Sequence, residues 1–338
     1  MLRIWGARSL APIYPNKTNL PEPIGEAWLT GPASKIETGP LAGPLNQAWL
    51  KMPPEWRGTD FTSQVPREFP LLVKFLFPTD RLSIQVHPND AYAKQNEPPG
   101  AVGKTEMWYV VSADPGARLL LGLVPEADRE KFQAAIKQGG LENFFERLPV
   151  SAGDTFYVPS RTPHTIGAGM ILCEVQQNSD LTYRLYDFHR VDAHGKPREL
   201  HIEKGMAVID FDHRKGGKVT PVALPSANGA KKSLLVACPY FASERWDLSA
   251  QHHANSGPAH FELLVILGGR GTIQWSGGSC SYQQGDCWFI PANLGKFSVV
   301  PESPTSILRT YVPAINKMRN ELSQIGVPNS AIEQVLFT

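Results

Sequence analysis

The chain has 338 residues, with 33 Lys and Arg against 32 Asp and Glu and 42% apolar residues. This composition suits a soluble globular protein with one large or two modest cores, and a near-zero charge balance gives no basis for nucleic acid or an anionic membrane as the main partner. Apolar runs such as Leu71 to Phe77 fall far short of the roughly 20 residues that span a bilayer. The opening stretch, interrupted by Arg3 and Arg8, lacks the apolar core of a secretory signal, so a cytoplasmic location is expected.

In chain order, 30 prolines and 29 glycines punctuate short runs rich in Val, Ile, Phe, Tyr and Trp. The runs at 75–88 (FLFPTDRLSIQVHP), 106–112 (EMWYVVS), 154–159 (DTFYVP), 170–176 (MILCEVQ), 260–269 (HFELLVILGG) and 287–291 (CWFIP) read as strands. Between them, 125–149 reads as a small helical insertion, with Phe132, Ile136, Leu141, Phe144 and Phe145 at interrupted helical spacing around Gly139 and Gly140. From Val312 onward, Ile315, Met318, Leu322 and Ile325 predict a helical tail, either docked on the fold or serving a homo-oligomer contact. Cys173, Cys238, Cys280 and Cys287 are too scattered for a disulfide framework and are expected to be buried, reduced thiols, although Cys280 and Cys287 could meet across a hairpin.

An internal repeat organises the chain. The segment Gly153-Asp154-Thr155-Phe156-Tyr157-Val158-Pro159 recurs at Gly285 to Pro291, and the strand beginning at Glu106 is echoed by the one beginning at Glu262. The pattern resembles the cupin jelly roll, or double-stranded β-helix. It implies a mainly β tandem cupin, with a metal-binding unit over 1–232, a metal-free unit over 233–312 and a helical tail over 313–338. The offset that carries His164 in the first copy lands on Lys296 in the second, so the second unit has lost a ligand that a cupin metal site needs.

The strand period of two sets Ser83, Gln85 and His87 on one face of their segment, and Lys104 and Glu106 on one face of theirs. Each alone reads as a solvated row or a surface ion pair. Converged in a cupin barrel with His164, the Gln85 oxygen, two imidazoles and the Glu106 carboxylate make a mixed N/O set suited to Zn2+, with Mn2+ or Fe2+ as alternatives. A divalent ion there keeps a positive field that favours an anionic substrate.

The blocks RLSIQVHPND, GKTEMWYVV, GDTFYVPSRTPHTIGAG and ILCEVQQNSDLTYRLYDFHR together resemble the type I mannose-6-phosphate isomerases, especially the short bacterial forms, with weaker support from residues 24–28 and 39–43. The resemblance implies a zinc enzyme acting on a phosphorylated hexose, with Gln85, His87, Glu106 and His164 as ligands, and Lys104, Asp180 and Arg184 in its active site. An aldose-ketose isomerase needs a proton-transfer group, for which Lys104, Asp180 and Glu174 are all candidates. Arg184 suits an anionic oxygen of the phosphate or enediolate, and Ser83 is a weaker substrate-binding candidate. An iron cupin oxygenase and a non-catalytic sugar-phosphate sensor remain as alternative functions. His252 and His253 are expected to be loop residues rather than ligands, and His260, beside Glu262, is not expected to make a closed site; His189, His194, His201 and His213 are expected at the surface or rim, and Lys204 is expected to be solvated rather than near the cavity.

Overall fold

Short β-branched and aromatic runs separated by Gly and Pro form strands throughout the chain, whose computed structural model describes residues 1–61, 66–192, 194–212, 216–226 and 229–338. His213 lies outside the described residues. Two units are distinguished by their packing: Met1–Ser9, Thr18–Trp28 and Leu72–Lys218 in one, and Leu10–Lys17, Leu29–Leu71 and Val219–Thr338 in the other. They cut across the expected spans 1–232, 233–312 and 313–338, because early segments of the chain enter both units and the tail belongs to the second.

The first unit is built on β1 (Leu2–Ala7), β2 (Glu26–Trp28), β3 (Leu71–Leu76), β4 (Ile84–Val86), β5 (Glu106–Ala113), β6 (Arg118–Leu123), β7 (Phe145–Pro149), β8 (Thr155–Val158), β9 (His164–Ile166), β10 (Met170–Gln177), β11 (Tyr183–Tyr186) and β12 (Gly217–Val219). One sheet runs β12-β8-β5-β10-β3-β2 and the other β11-β4-β9-β6-β7. Trp108, Phe156 and Leu172 from the first sheet join Leu119 and Ile166 from the second in one buried core, as a two-layer β fold requires.

The second unit repeats the plan with β13 (Val222–Leu224), β14 (Ala230–Ala237), β15 (Ala242–Leu248), β16 (His252–Asn255), β17 (Glu262–Gly268), β18 (Arg270–Trp275), β19 (Gly278–Gln283), β20 (Cys287–Ile290), β21 (Lys296–Pro301) and β22 (Thr305–Tyr311). Its sheets run β13-β14-β15-β22-β17-β20 and β16-β21-β18-β19. The repeat read from sequence is a repeat of hydrogen bonds. Gly153 and Gly285 both take a φ of +90°, the Val110 and Ile266 amides donate to the Asp154 and Asp286 carbonyls at 2.9 Å, and each aspartate side chain accepts from the backbone three residues back. The tandem cupin is therefore the fold.

Helices fill in around the sheets: α1 (Asp90–Asn96), α2 (Arg129–Gln138), α3 (Ile202–Val208), α4 (Ile315–Gln324) and α5 (Asn329–Val335). The expected insertion at 125–149 is helical only in part. Asp128 caps α2 by accepting from the Lys131 amide at 2.8 Å, Gly139 and Gly140 at positive φ end it, and Phe145–Pro149 is strand β7, with Leu148 opposite Leu119. In the tail, α4 and α5 bury Met318, Leu322, Ile332 and Val335, while Ile325 is exposed. Two further expectations are corrected. His252 and His253 lie on β16 rather than in a loop, with the His252 ring edge-on to Trp246, and Cys280 and Cys287 are partly exposed free thiols, unlike the buried Cys173 and Cys238. No helix among the described residues is long and apolar enough to cross a membrane.

Each unit also buries an ionic network. In the second, Arg309 donates to both oxygens of Glu262 at 2.6 and 2.9 Å and to Glu244 at 2.6 Å; Trp246 and Tyr311 complete the Glu244 shell. In the first, Arg3 forms a bidentate pair with Glu26 at 2.9 and 3.1 Å, and the Trp28 indole donates at 2.6 Å. Burial alone would raise the Glu26 carboxyl, but Lys74 and Arg3 outweigh it and hold its pKa at about 2.

Arg309→Met should destabilise the protein by about 3–5 kcal/mol, because it strands two buried carboxylates. Adding Glu244→Gln and Glu262→Gln to that variant should recover much of the loss in denaturant melts; an unchanged loss would show that packing, not charge, is at stake. The Glu26 carboxylate stabilises the fold fully above its ordinary value near 4.5, and that contribution fades as pH falls toward about 2. Glu26→Gln should therefore show a flatter decline in melting temperature across that window than the parent chain.

Candidate metal centre and cavity

Three chain-distant segments meet because of strand register. His164 on β9 and Arg184 on β11 both stand opposite Gln85 on β4, which makes a cross-strand row of His164, Gln85 and Arg184. On the other sheet, Glu106 opens β5 opposite Val158 and Gln176, and Glu174 on β10 stands opposite Trp108. His87 follows β4 by one residue. The ligand atoms of His87, Glu106 and His164 lie within 4.8 Å of one another, and all three residues are buried. Gln85 joins them, with its amide nitrogen 3.3 Å from His164 Nε2 and its oxygen accepting from Ser83 Oγ at 3.3 Å.

The donor set fits a metal ion on three counts. Each imidazole faces a backbone carbonyl through Nδ1, His87 to Leu181 at 2.8 Å and His164 to Thr162 at 2.9 Å, so Nδ1 carries the proton and the Nε2 lone pair is left for a cation. Burial first, and then the Lys104 charge, pushes the His87 pKa well down; burial also lowers His164 against the pull of Glu106, and both rings are held in the neutral, ligating form. Neither oxygen of Glu106, which is 0% exposed, accepts a well-directed hydrogen bond, a costly state for a buried carboxylate unless a cation faces it. Lys104 Nζ supplies part of that charge, 2.9 Å from Glu106 Oε2 and 3.1 Å from His87 Nε2.

In front of this cluster lies a cavity of about 400 Å³ whose wall includes Ser83, Gln85, Lys104, Glu174, Asp180 and Arg184. The predicted substrate and catalytic residues thus share one cavity, while His87, Glu106 and His164 stand behind it, reached through Gln85 and Lys104. Glu174 Oε1 accepts from the Trp108 indole at 3.0 Å and Oε2 lies 2.7 Å from Lys74 Nζ. Burial and the neighbouring Glu106 raise the Glu174 pKa. Asp180 is exposed at the rim. Arg184 is half-buried, donates through Nη1 to the Glu199 carbonyl at 2.7 Å, and forms no ion pair with Asp180 or Asp187. Lys204 is solvent-exposed and paired with Glu97 rather than aimed at the cavity, as expected of a solvated lysine.

Sequence reasoning missed Arg3, Lys74 and Arg198, which also line the cavity. Lys74 carried a readable signal, since a lysine inside the otherwise apolar run Leu71–Phe77, 4% exposed here, needs a buried partner. Arg198 carried none.

Residues 3–111 match the family described as phosphomannose isomerase type I, catalytic domain, and residues 231–312 match the mannose-6-phosphate isomerase cupin domain. The first span carries Gln85, His87 and Glu106, whereas His164 lies beyond it. The mannose-6-phosphate isomerase of Streptococcus mutans is 36% identical over 298 residues, covering 86% of this chain and 90% of that one. The probable mannose-6-phosphate isomerase GmuF of Bacillus subtilis is 35% identical, covering 88% and 92%. The crystal structure of the mannose 6-phosphate isomerase from Bacillus subtilis superposes with a TM-score of 0.82 at 30% identity, covering 92% and 96%. Similarity of this extent, joined to a metal-capable centre behind a cation-rich cavity, establishes that the chain belongs to the type I phosphomannose isomerase family.

Proposed function

We propose that the chain interconverts mannose 6-phosphate and fructose 6-phosphate, with the reacting carbons of the sugar toward the buried centre and the phosphate toward Arg184. The observation that carries this reading is the cross-strand row His164, Gln85 and Arg184, which runs from the metal-capable cluster to a guanidinium in the cavity wall that has no carboxylate partner among the described residues. His87 Nε2, His164 Nε2, Glu106 and Gln85 would hold the ion, the amide needing a half-turn to present its oxygen. Two imidazoles, a carboxylate and an amide oxygen suit zinc, with manganese or iron as alternatives. When bound, the ion supplies Lewis-acid polarisation of the sugar carbonyl and stabilises negative charge developing there.

Isomerisation moves a proton from C2 of the aldose to C1, and a hydroxyl proton from O2 to O1, through an enediol. Glu174 is the best-placed carrier of the carbon proton. Burial and Glu106 push its pKa up, the direction that strengthens a general base, and its Oε2 lacks a directed hydrogen bond while Trp108 anchors Oε1. In this scheme Oε2 takes the proton from C2 and returns it to C1. Lys104 Nζ, whose present contacts are His87 and Glu106, gives a proton to O1 as the enediol forms and takes one back from O2 as the ketone forms, ending in its starting state. Asp180, exposed at the rim, is left to orient sugar hydroxyls.

Metal-stripped protein should show no turnover of mannose 6-phosphate and should regain it with zinc, whereas His164→Ala should lose both bound metal by elemental analysis and turnover. Full activity of a verified metal-free sample would sink the proposal. Glu174→Gln should keep its metal and its KM within a few-fold while kcat falls by about 10²- to 10⁴-fold; a kcat within threefold of the parent would remove Glu174 from the proton path.

A further inference from the structure

Five cationic side chains line the cavity, and four have a carboxylate at hand: Arg3 with Glu26, Lys74 with Glu174, Lys104 with Glu106 and Arg198 with Asp187. Arg184 has none among the described residues, and its Nε is buried without an acceptor. Burial, followed by the charge of Arg198, pulls the Arg184 guanidinium below its usual pKa, as crowding by like charge does.

Arg198 reaches this place through a built loop. After β11 the chain passes through Phe188 and His189, two consecutive non-glycine residues at φ +55° and +57°, a costly conformation that persists only where its surroundings enforce it. Arg81 and Arg190 pack on the Phe188 ring at 3.8 and 5.4 Å. A single antiparallel bridge then pairs Val191 with Pro197, and the chain returns to Asp187. There Arg198 spends Nε, at 2.7 Å, and Nη2 on the two Asp187 oxygens, leaving Nη1 without a partner among the described residues. Asp187 is shared, since Arg190 donates to it at 2.6 Å and reaches Asp80 at 3.0 Å.

We propose that Arg198, oriented by Asp187, forms with Arg184 a two-guanidinium subsite for the phosphate of the substrate. Two forks that repel each other when empty are offset by one dianion, and each presents a planar edge of donors suited to phosphate oxygens. Asp187 is a positioning residue: it touches no ligand and fixes which edge of Arg198 faces the cavity. The identity of the ligand as a sugar phosphate rests on the isomerase reading; the anion site itself does not.

The test uses the zinc-loaded full chain, with inorganic phosphate as the probe beside mannose 6-phosphate. Arg198→Met should raise KM and weaken competitive inhibition by phosphate, each about tenfold or more, with kcat changed by less than about threefold, because binding common to ground and transition states is what is lost. Arg198→Lys should sit between, keeping charge without the fork, and Asp187→Asn should weaken phosphate in the same direction at unchanged metal content. Unchanged KM and phosphate inhibition in Arg198→Met overturns the proposal; if that variant does not fold, unchanged values in Arg198→Lys do so. If the parent chain fails to turn over mannose 6-phosphate yet binds phosphate by calorimetry, and Arg198→Met abolishes that binding, the isomerase reading fails while the anion subsite stands.

Discussion

A carboxylate removed from water must face positive charge, and Glu106 is in that position. It is wholly buried, neither oxygen accepts a directed hydrogen bond, and burial works to raise its pKa while Lys104 and His164 hold it down. The arrangement around it follows from that demand. The two imidazoles turn Nε2 inward because their Nδ1 protons are committed to backbone carbonyls, and Lys104 leans over both Glu106 and His87. A pocket of this composition is poorly satisfied by protein alone, which is the physical content of calling it a metal centre.

The second unit answers the same demand with a guanidinium. Glu262 opens β17 opposite Ile290, as Glu106 opens β5 opposite Val158, at matching register. Where Glu174 faces Trp108 in the first unit, Arg309 faces Leu264 in the second, and its guanidinium takes both Glu262 oxygens. The His164 and Gln85 pair is matched by Lys296 and Asn255. Arg309 on the strand matching that of Glu174, together with Lys296 and Asn255 where the first unit has His164 and Gln85, thus gives the buried Glu262 a countercharge from the chain itself.

Much of this was legible in the sequence because it depends on local pattern. The Gly-Asp turn repeated at 153 and 285 announced two copies, since the turn needs a positive φ and an aspartate at fixed spacing. Other features were not local. A period of two puts Ser83, Gln85 and His87 on one face but cannot say whether that face is wet; only the opposing sheet buries Ser83 and His87 to 1% exposure. Phe145–Pro149 looked helical because its aromatics continue the preceding spacing, yet edge pairing with β6 decided it. Polar composition hid the strand at His252. Arg198 owes its place to a return loop turned by Phe188 and His189 at positive φ, and the bulky Phe188 is of a type that gives no warning of that conformation.

The balance at Glu174 shows how the parts constrain one another. Glu106 and burial favour its protonated form, while Lys74, itself held charged by Glu174 and Glu26, favours the ionised one. In the proposed scheme Lys74 is therefore more than a counter-ion: it would favour the ionised form of a deeply buried carboxylate, while burial and Glu106 would make that carboxylate the stronger base. Trp108 ties the two functions together, donating to Glu174 Oε1 and packing edge-on against the His164 ring at 5.2 Å. Any shift of β5 that displaced this indole would disturb Glu174 and the His164 ring at once, so the position of one side chain in the core of the first unit bears on both the buried carboxylate and the metal-capable cluster.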